Sequence, residues 1–164
     1  MGRYGKNRNL IFLVIVAILA SFAVYVFLDN NQKQQAASTG QSSEQDIRIL
    51  KSDISEEAKF YPYKAGDTYM ELLAVEASDG SIRTALNTCQ VCYRSGRGYY
   101  IQEGDTLVCQ NCGNVFGVDD VEVVRGGCNP VPVLEESKTD EGEYIIVKKE
   151  FMEASKDLFA VWKK

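Results

Sequence analysis

Five cysteines form a compact block in a sequence that contains no histidine. Two Cys-x-x-Cys pairs, Cys89/Cys92 and Cys109/Cys112, are separated by sixteen residues, and Cys128 follows in a Gly-Gly-Cys-Asn-Pro segment. Each pair can place two thiolates on one side of a tight turn, and two facing turns supply four sulfurs in a tetrahedral arrangement. Because the chain has no imidazole, any transition-metal site in it must consist mainly of sulfur ligands.

The spacing predicts one metal centre held by Cys89, Cys92, Cys109 and Cys112. An iron–sulfur centre, a structural zinc ion and a copper(I) ion all accept thiolate ligands, so the spacing leaves the metal open. Disulfides or redox-active dithiols are the alternative in an oxidising compartment, although five cysteines leave one thiol over. Cys128 is a candidate further ligand, a neighbour that tunes the centre, or a free thiol.

An apolar run near the N-terminus predicts a membrane anchor. Residues 10–28 contain no charge and only one polar residue, Ser21. A helix of this length rises about 28 Å, close to the thickness of the hydrocarbon core of a bilayer. Three basic residues precede the run, which predicts that residues 1–9 are cytoplasmic and that the rest of the chain is extracytoplasmic. A cleaved signal peptide is the alternative, but its apolar region is usually shorter.

The composition changes after the predicted span. Residues 29–46 contain no large apolar side chain and are predicted to form a flexible linker, because such a segment cannot bury enough surface to offset its ordering entropy. Residues 47–164 are then a single extracytoplasmic, cysteine-rich, metal-binding domain. The net charge of −5 argues against a nucleic-acid partner. Without histidine, catalytic Ser-His-Asp or Cys-His arrangements are impossible, so redox chemistry at the sulfur site is the only chemistry expected.

The pattern of the domain indicates a mainly β fold of the α+β class. The dipeptide at 79–80, Asp-Gly, is a strong hairpin signal between predicted strands at 69–77 and 81–86. A second hairpin is predicted over 99–109 and leads into the second cysteine pair. Further strands are predicted at 47–50 and 144–148, short apolar runs stand at 115–118 and 121–124, and residues 151–162 have roughly helical spacing.

The turns at the two cysteine pairs differ. Gly113 follows Cys112, as in the cysteine knuckles of zinc ribbons and rubredoxins, where a glycine relieves the steric cost of a left-handed residue. Tyr93 occupies the corresponding position after Cys92. We therefore predict a small β-rich domain with zinc-ribbon-like or rubredoxin-like cysteine knuckles, tethered to one N-terminal transmembrane helix.

Several motifs around the cysteines resemble one known family. They are GYY at 98–100, QEGD at 102–105, VCQNCG at 108–113 and GGCNP at 126–130, with FYPY at 60–63 and DGSIRTA at 79–85 upstream. Over about residues 47–148 the chain closely resembles the FtrD-like membrane iron–sulfur protein domain of bacteria. In that family the domain accompanies a periplasmic iron-binding protein, a cupredoxin-like protein and an iron permease.

The resemblance implies a role in ferrous iron uptake, with electrons passed across or out of the membrane. We therefore expect a membrane-anchored, extracytoplasmic metal–thiolate protein, with an iron–sulfur centre, that handles electrons or metal for an iron-transport system. Its expected partners are the membrane, an iron permease complex, or a periplasmic or extracellular redox protein. The alternatives are a zinc-stabilised structural or binding module of a membrane complex, and a copper(I)-binding protein.

The first testable prediction concerns membrane topology. A thiol reagent that cannot cross membranes should label an engineered Ser42→Cys in intact cells, above the labelling of the natural cysteines, because residue 42 follows the predicted span. Labelling only after lysis would contradict an extracytoplasmic domain. Recovery of a mature chain that begins near Val24 would instead show a cleaved signal peptide.

Overall fold

The computed structural model describes residues 41–42 and 45–164. The predicted cytoplasmic segment 1–9, the predicted span 10–28 and most of the predicted linker 29–46 lie outside these residues. No helix within the described part is long and apolar enough to cross a membrane.

Eleven strands, one α-helix and several short 3₁₀ turns make up the described residues. The strands are β1 Gln41–Ser42, β2 Ile47–Leu50, β3 Lys59–Ala65, β4 Thr68–Glu76, β5 Ile82–Cys89, β6 Tyr100–Glu103, β7 Thr106–Cys109, β8 Val115–Gly117, β9 Pro130–Pro132, β10 Lys138–Glu141 and β11 Tyr144–Val147. The helix α1 spans Lys149–Ser155 and continues into a 3₁₀ turn, Lys156–Phe159. The prediction of a mainly β domain is confirmed.

The strands form three sheets. The largest has the order β1-β3-β4-β5-β9, in which β1 runs parallel to β3 and the other neighbours are antiparallel. A second sheet has the order β10-β11-β2, and a third has the order β6-β7-β8. The hairpins predicted on either side of residues 79–80 and 103–105 are both present, as β4–β5 and β6–β7.

The central strand β4 is buried on both faces. Its side chains alternate, so that Met70 and Leu72 point into one apolar cluster while Leu73 and Val75 point into another. The first cluster also contains residues from β2, β11 and α1, including Met152. The second contains three cysteines and residues of β6, β7 and β8. Burying a leucine side chain in either cluster contributes about 2 kcal/mol to folding.

Sequence reasoning missed four strands: β1, which lies within the predicted flexible linker, and β3, β9 and β10. β3 carries Pro62 and β9 begins at Pro130, and proline weakens the strand signal because it cannot donate to a ladder. β10 is a charged, mostly exposed strand without apolar alternation. The apolar run at 121–124 lies in turns rather than in a strand, and Glu122 has a φ of +69°.

The C-terminal residues close over the turn that follows the first cysteine pair. The N–H of Lys163 donates to the carbonyl oxygen of Gly96 at 2.7 Å. The indole N–H of Trp162 donates to the carbonyl oxygen of Asn87 at 3.1 Å, and its ring packs edge-on against Phe159. Gly96 has a φ of +77°, and a Cβ there would lie 2.2 Å from the carbonyl oxygen of Val161. This position therefore requires glycine both for its backbone angle and for the space that it leaves.

The second testable prediction compares two glycines. We expect Gly96→Ala to destabilise the full-length protein by about 2–4 kcal/mol, since it combines left-handed strain with overpacking. The matched control is Gly104→Ala, where φ is +61° but no atom lies within 4 Å of the added Cβ. The control substitution should lower the free energy of unfolding by only about 1–2 kcal/mol, because it adds backbone strain without overpacking. Urea unfolding followed by the fluorescence of Trp162, the single tryptophan, measures both, and equal losses would contradict the packing argument.

Candidate metal centre

Three chain segments deliver the cysteines to one place. Cys89 is the last residue of β5, and Cys92 begins a 3₁₀ turn, Cys92–Ser95. Cys109 is the last residue of β7, and the turn after it carries Cys112. Cys128 lies in the loop immediately before β9. All five cysteines are free thiols, so five sulfurs are available as ligands.

The sulfurs form two groups with one common member. The Sγ atoms of Cys89, Cys92 and Cys109 lie within 4.8 Å of one another, and so do those of Cys92, Cys112 and Cys128. Metal–sulfur bonds of about 2.3 Å in a tetrahedral shell hold sulfurs about 3.8 Å apart, and no two sulfurs of either group exceed that spacing by more than about 1 Å. The structure thus places three of the four predicted ligands, Cys89, Cys92 and Cys109, in one group, and the fourth, Cys112, in a second group with Cys92 and Cys128.

The two groups differ in their exposure to solvent. Cys89 and Cys109 are 0% and 1% exposed, and Cys92 is 8% exposed. Cys112 is exposed and Cys128 is half-buried. We call Cys89, Cys92 and Cys109 the inner group, and Cys92, Cys112 and Cys128 the outer group. The inner group is part of the second apolar cluster, whereas the outer group opens to solvent.

The turns at both cysteine pairs are shaped by backbone hydrogen bonds. The N–H of Cys92 donates to the Cys89 sulfur at 3.3 Å, and the N–H of Gly113 donates to the carbonyl oxygen of Cys109 at 2.9 Å. Gly113 has a φ of +72°, as the knuckle interpretation requires. After the first pair, the left-handed residue is Gly96 at the end of the 3₁₀ turn, which explains why Tyr93 is tolerated after Cys92.

The loop that carries Cys128 is held against both cysteine pairs. The carbonyl oxygen of Cys128 accepts hydrogen bonds from the Tyr100 hydroxyl at 2.8 Å and from the Asn114 side chain at 2.9 Å. The N–H of Gln90 donates to the carbonyl oxygen of Asn129 at 3.0 Å. Because Gln90 lies between the first two cysteines and Asn114 follows the second pair, these bonds fix the fifth cysteine beside the other four.

A second anchor holds the start of the same loop. The carboxylate of Glu122 accepts hydrogen bonds from the N–H and the hydroxyl of Thr84, at 2.6 and 2.7 Å, and forms an ion pair with Lys138 at 2.5 Å. Both charged side chains are largely buried. These interactions support the left-handed backbone of Glu122, which sequence reasoning did not anticipate.

A buried polar network lies behind the inner group. The Asn87 side-chain oxygen accepts from the N–H of Tyr100 at 2.7 Å, and its amide nitrogen donates to Glu71 at 2.8 Å. Glu71 is buried and forms an ion pair with Lys164. This network ties β5 to β6, the strands that lead into and away from the first cysteine turn. Its sequence signal was the pair of polar residues, Asn87 and Thr88, directly before Cys89.

The donor set and its surroundings fit a thiolate-bound metal. It offers five sulfurs and no imidazole, and three of the sulfurs are shielded from water. The family model described as "Membrane iron-sulfur containing protein FtrD-like" matches residues 54–159, which is more than half of the chain and includes every cysteine. The chain belongs to the FtrD-like family. The resemblance seen in the sequence is thereby confirmed.

Similarity to curated proteins and to solved structures is limited. No curated protein matches this FtrD-like chain. Among solved structures it is similar to the crystal structure of the quaternary ammonium Rieske monooxygenase CntA, with a TM-score of 0.42 and 12% sequence identity. The similarity covers 73% of this chain and 34% of the monooxygenase chain, so the FtrD-like chain spans about a third of the length of that protein.

The inner thiols of the FtrD-like chain differ in pKa. Burial raises the pKa of Cys109 to about 12 and that of Cys92 to about 11. Burial acts in the same direction on Cys89, but the neighbouring Tyr100 hydroxyl and hydrogen bonds from the backbone N–H groups of Cys92 and Val91 outweigh it and lower the pKa of Cys89. Cys89 is therefore the inner thiol that loses its proton most readily.

The two exposed or half-buried thiols of the outer group, Cys112 and Cys128, also differ in pKa. The backbone N–H of Asn114 donates to the Cys112 sulfur and, with the neighbouring thiols, lowers the pKa of Cys112. The interaction with Cys112 raises the pKa of Cys128, and partial burial acts in the same direction. Cys112 is therefore the exposed cysteine with the greater thiolate character, and the thiolate is the form that reacts with electrophiles and binds metal.

The third testable prediction follows from these pKa directions. In reduced, metal-free protein near neutral pH, iodoacetamide should modify Cys112 first and Cys109 last, because Cys112 is exposed with a lowered pKa and Cys109 is buried with a raised one. The Cys112 rate should rise with pH and level off below the pH at which an ordinary cysteine does. Peptide mass spectrometry at timed intervals measures the order. Modification of Cys109 as fast as Cys112 would contradict the inner and outer assignment.

Proposed function

We propose that this FtrD-like chain is a single-pass membrane protein whose extracytoplasmic domain holds an iron–sulfur centre and handles electrons or metal for an iron-transport system. The observation that carries the proposal is the convergence of five thiols at one site in a chain whose family is described as membrane iron–sulfur proteins. The basic residues before the apolar run 10–28 support the orientation.

The four residues of the two Cys-x-x-Cys pairs are the proposed ligands of the centre: Cys89, Cys92, Cys109 and Cys112. A bound iron–sulfur centre supplies reversible one-electron transfer. Cys128 lies close enough to Cys92 and Cys112 to serve as a further ligand or to tune the centre. The absence of histidine from the chain leaves thiolates as the principal ligands.

The residues around the proposed centre have different roles in this proposal. The apolar neighbours of Cys89 and Cys109, among them Leu73 and Leu107, keep water from the inner side of the centre. Hydrogen bonds to sulfur, such as that from the Cys92 N–H to Cys89, stabilise the thiolate charge and so influence the reduction potential. The exposed Cys112 leaves one side of the centre accessible to a redox partner or to a metal ion.

An iron permease complex or a periplasmic or extracellular redox protein is the proposed partner. The net charge of −5 is compatible with a domain that attracts cations. The predicted anchor at residues 10–28 and the linker at 29–46 would keep the domain near the membrane in which such a permease lies.

Two alternative functions follow from particular features of the site. The three buried thiols of the inner group favour a closed structural zinc site in a binding module of a membrane complex. The all-thiolate donor set favours copper(I), a soft ion. Colour distinguishes these possibilities, because an iron–sulfur centre absorbs visible light whereas zinc and copper(I) thiolates do not.

The fourth testable prediction concerns the metal. Full-length protein purified without oxygen should contain iron and acid-labile sulfide and should show visible absorption that a reductant bleaches. Cys89→Ser and Cys112→Ser should each lose most of the iron and should lower the stability of the domain, because metal binding contributes to its folding free energy. The matched control is Val115→Ser, which changes a 60% exposed residue outside the cluster.

Two outcomes would contradict the proposal. A colourless protein that contains only zinc would leave the structural module as the better explanation. Full iron occupancy in both Cys89→Ser and Cys112→Ser would show that the two pairs do not share a centre. For the transport role, uptake of labelled ferrous iron by intact cells should fall when Cys89→Ser replaces the natural chain, and unchanged uptake would separate the centre from iron transport.

A further inference from the structure

We propose that the turn after the first cysteine pair, with the C-terminal residues packed on it, is a docking face for an acidic redox protein. Three residues, Arg94, Arg97 and Lys163, supply its charge, and we call them the basic face. The inference rests on the proposed function, in which the centre passes electrons to a partner. It adds the place where that partner docks and the chemistry by which it is recognised.

Two segments far apart in the chain meet at the basic face. The N–H of Lys163 donates to the carbonyl oxygen of Gly96 at 2.7 Å. A Cβ built on Gly96 would lie 3.3 Å from Cγ and Cδ of Lys163, so the aliphatic part of this lysine lies on the turn. Arg94 and Arg97 stand on either side of Gly96 in the chain, and the turn begins at Cys92. The three basic residues therefore belong to the turn that carries a proposed ligand of the centre.

All three basic side chains are accessible to a partner. Arg94, Arg97 and Lys163 are exposed. None of them forms an ion pair within the part of the chain that the structure describes. The Arg94 Nε donates to the Tyr93 hydroxyl at 3.0 Å, which occupies one of the five N–H donors of the guanidinium. Neighbouring like charges repel one another, and the carboxylates of an acidic partner replace this repulsion with attraction.

The basic face contrasts with the acidic composition of the domain. Residues 45–164 contain 14 basic and 21 acidic side chains. The two segments that form the face, 89–102 and 158–164, contain four basic side chains and no acidic one. An approaching partner therefore meets positive charge at this face and a net negative charge elsewhere in the domain.

An acidic cavity lies at the other end of the strands that carry the cysteines. Cys89 and Cys109 are the last residues of β5 and β7. The hairpin turns at the opposite ends of these strands border a cavity of about 450 Å³. Five acidic side chains line it: Glu56, Glu76, Asp105, Asp119 and Asp120. Since β5 spans about 25 Å, an acidic partner is repelled from one end of the domain and attracted to the end that holds the cysteines.

Exposed apolar side chains accompany the charges. Val91, between the first two cysteines, is 58% exposed, and Val161, in the C-terminal segment, is 48% exposed. Weak redox interfaces are small, and interfaces generally combine an apolar core with a polar rim. A partner docked at the turn that begins at Cys92 lies next to the centre. This position favours a redox protein over anionic lipid as the occupant, because lipid head groups would cover the face without exchanging electrons.

The test compares two exposed arginines in full-length protein with a reduced centre. Arg97→Glu reverses one charge of the basic face. Arg48→Glu is the matched control, because Arg48 is exposed on β2, whose apolar residues pack against the face of β4 that is turned away from the cysteines. The two variants have the same net charge and differ in where the reversed charge lies.

Electron transfer to small oxidants reports the charge near the centre. One electron leaves the reduced centre and converts hexacyanoferrate(III), an anion, to hexacyanoferrate(II), and hexaammineruthenium(III), a cation, is reduced to its ruthenium(II) form in the same way. Relative to Arg48→Glu, Arg97→Glu should slow the reaction with the anion by about fivefold or more at low ionic strength and should speed that with the cation. Added salt should remove the difference. Equal rates for the two variants would overturn the docking face.

Binding of fluorescently labelled polyglutamate is a second measurement, and it needs no redox centre. The dissociation constant at low salt should be higher for Arg97→Glu than for Arg48→Glu by about fivefold or more. A protein that shows this difference but reduces neither oxidant would overturn the proposed function and leave the docking face standing. Equal binding by the two variants would overturn the docking face and leave the proposed centre standing.

Reconstituted vesicles distinguish a protein partner from a lipid surface. In vesicles of neutral phosphatidylcholine the two variants should differ in their rates with hexacyanoferrate(III), and they should still differ when anionic phosphatidylglycerol is included. Loss of the difference in the anionic vesicles alone would show that lipid occupies the basic face, and this result would overturn the assignment to a protein partner.

Discussion

The arrangement of the domain depends on one strand with both faces buried. β4 alternates its side chains between two apolar clusters, so that Leu72 belongs to one and Leu73 to the other. The sheet neighbour of β4, β5, follows the same division and ends at Cys89, inside the second cluster. A slip of one residue in the β4–β5 register would turn each side chain of the strand to the opposite face of the sheet. Cys89 would then point away from the second apolar cluster. The cysteine cluster therefore depends on the packing of this strand pair.

Buried polar groups connect the strands and loops around the cysteines. Asn87 and Glu71 connect β5 to β6, and Glu122 connects the Cys128 loop to β5 and β10. Each of these groups is substantially buried and hydrogen-bonded, so removing one partner would leave a polar atom unsatisfied at a cost of about 1–3 kcal/mol. Such costs favour a single arrangement of the loops over several similar ones. These hydrogen bonds therefore fix the positions of the cysteine-bearing loops relative to one another.

The cysteine cluster has one side that is buried and one side that is open to solvent. The inner thiols are surrounded by hydrophobic residues, whereas Cys112 lies at the surface with Cys128 beside it. A centre with one closed and one open side suits a protein that passes an electron or an ion to a partner without releasing the whole centre. A purely structural zinc site needs no open side, since all four of its positions are filled by protein. The transfer role proposed for this FtrD-like chain depends on that open side.

The sequence by itself determined the donor set, because five cysteines and no histidine allow little but a thiolate site. It also determined the two hairpins, since Asp-Gly and Glu-Gly-Asp turns and the alternation of apolar residues are local signals. Tertiary structure decided which thiols stand together, that Cys92 belongs to both groups, and that the Glu71–Lys164 pair lies behind them. These features join segments far apart in the chain, 93 residues in the case of Glu71 and Lys164, and long-range packing leaves no local pattern to read.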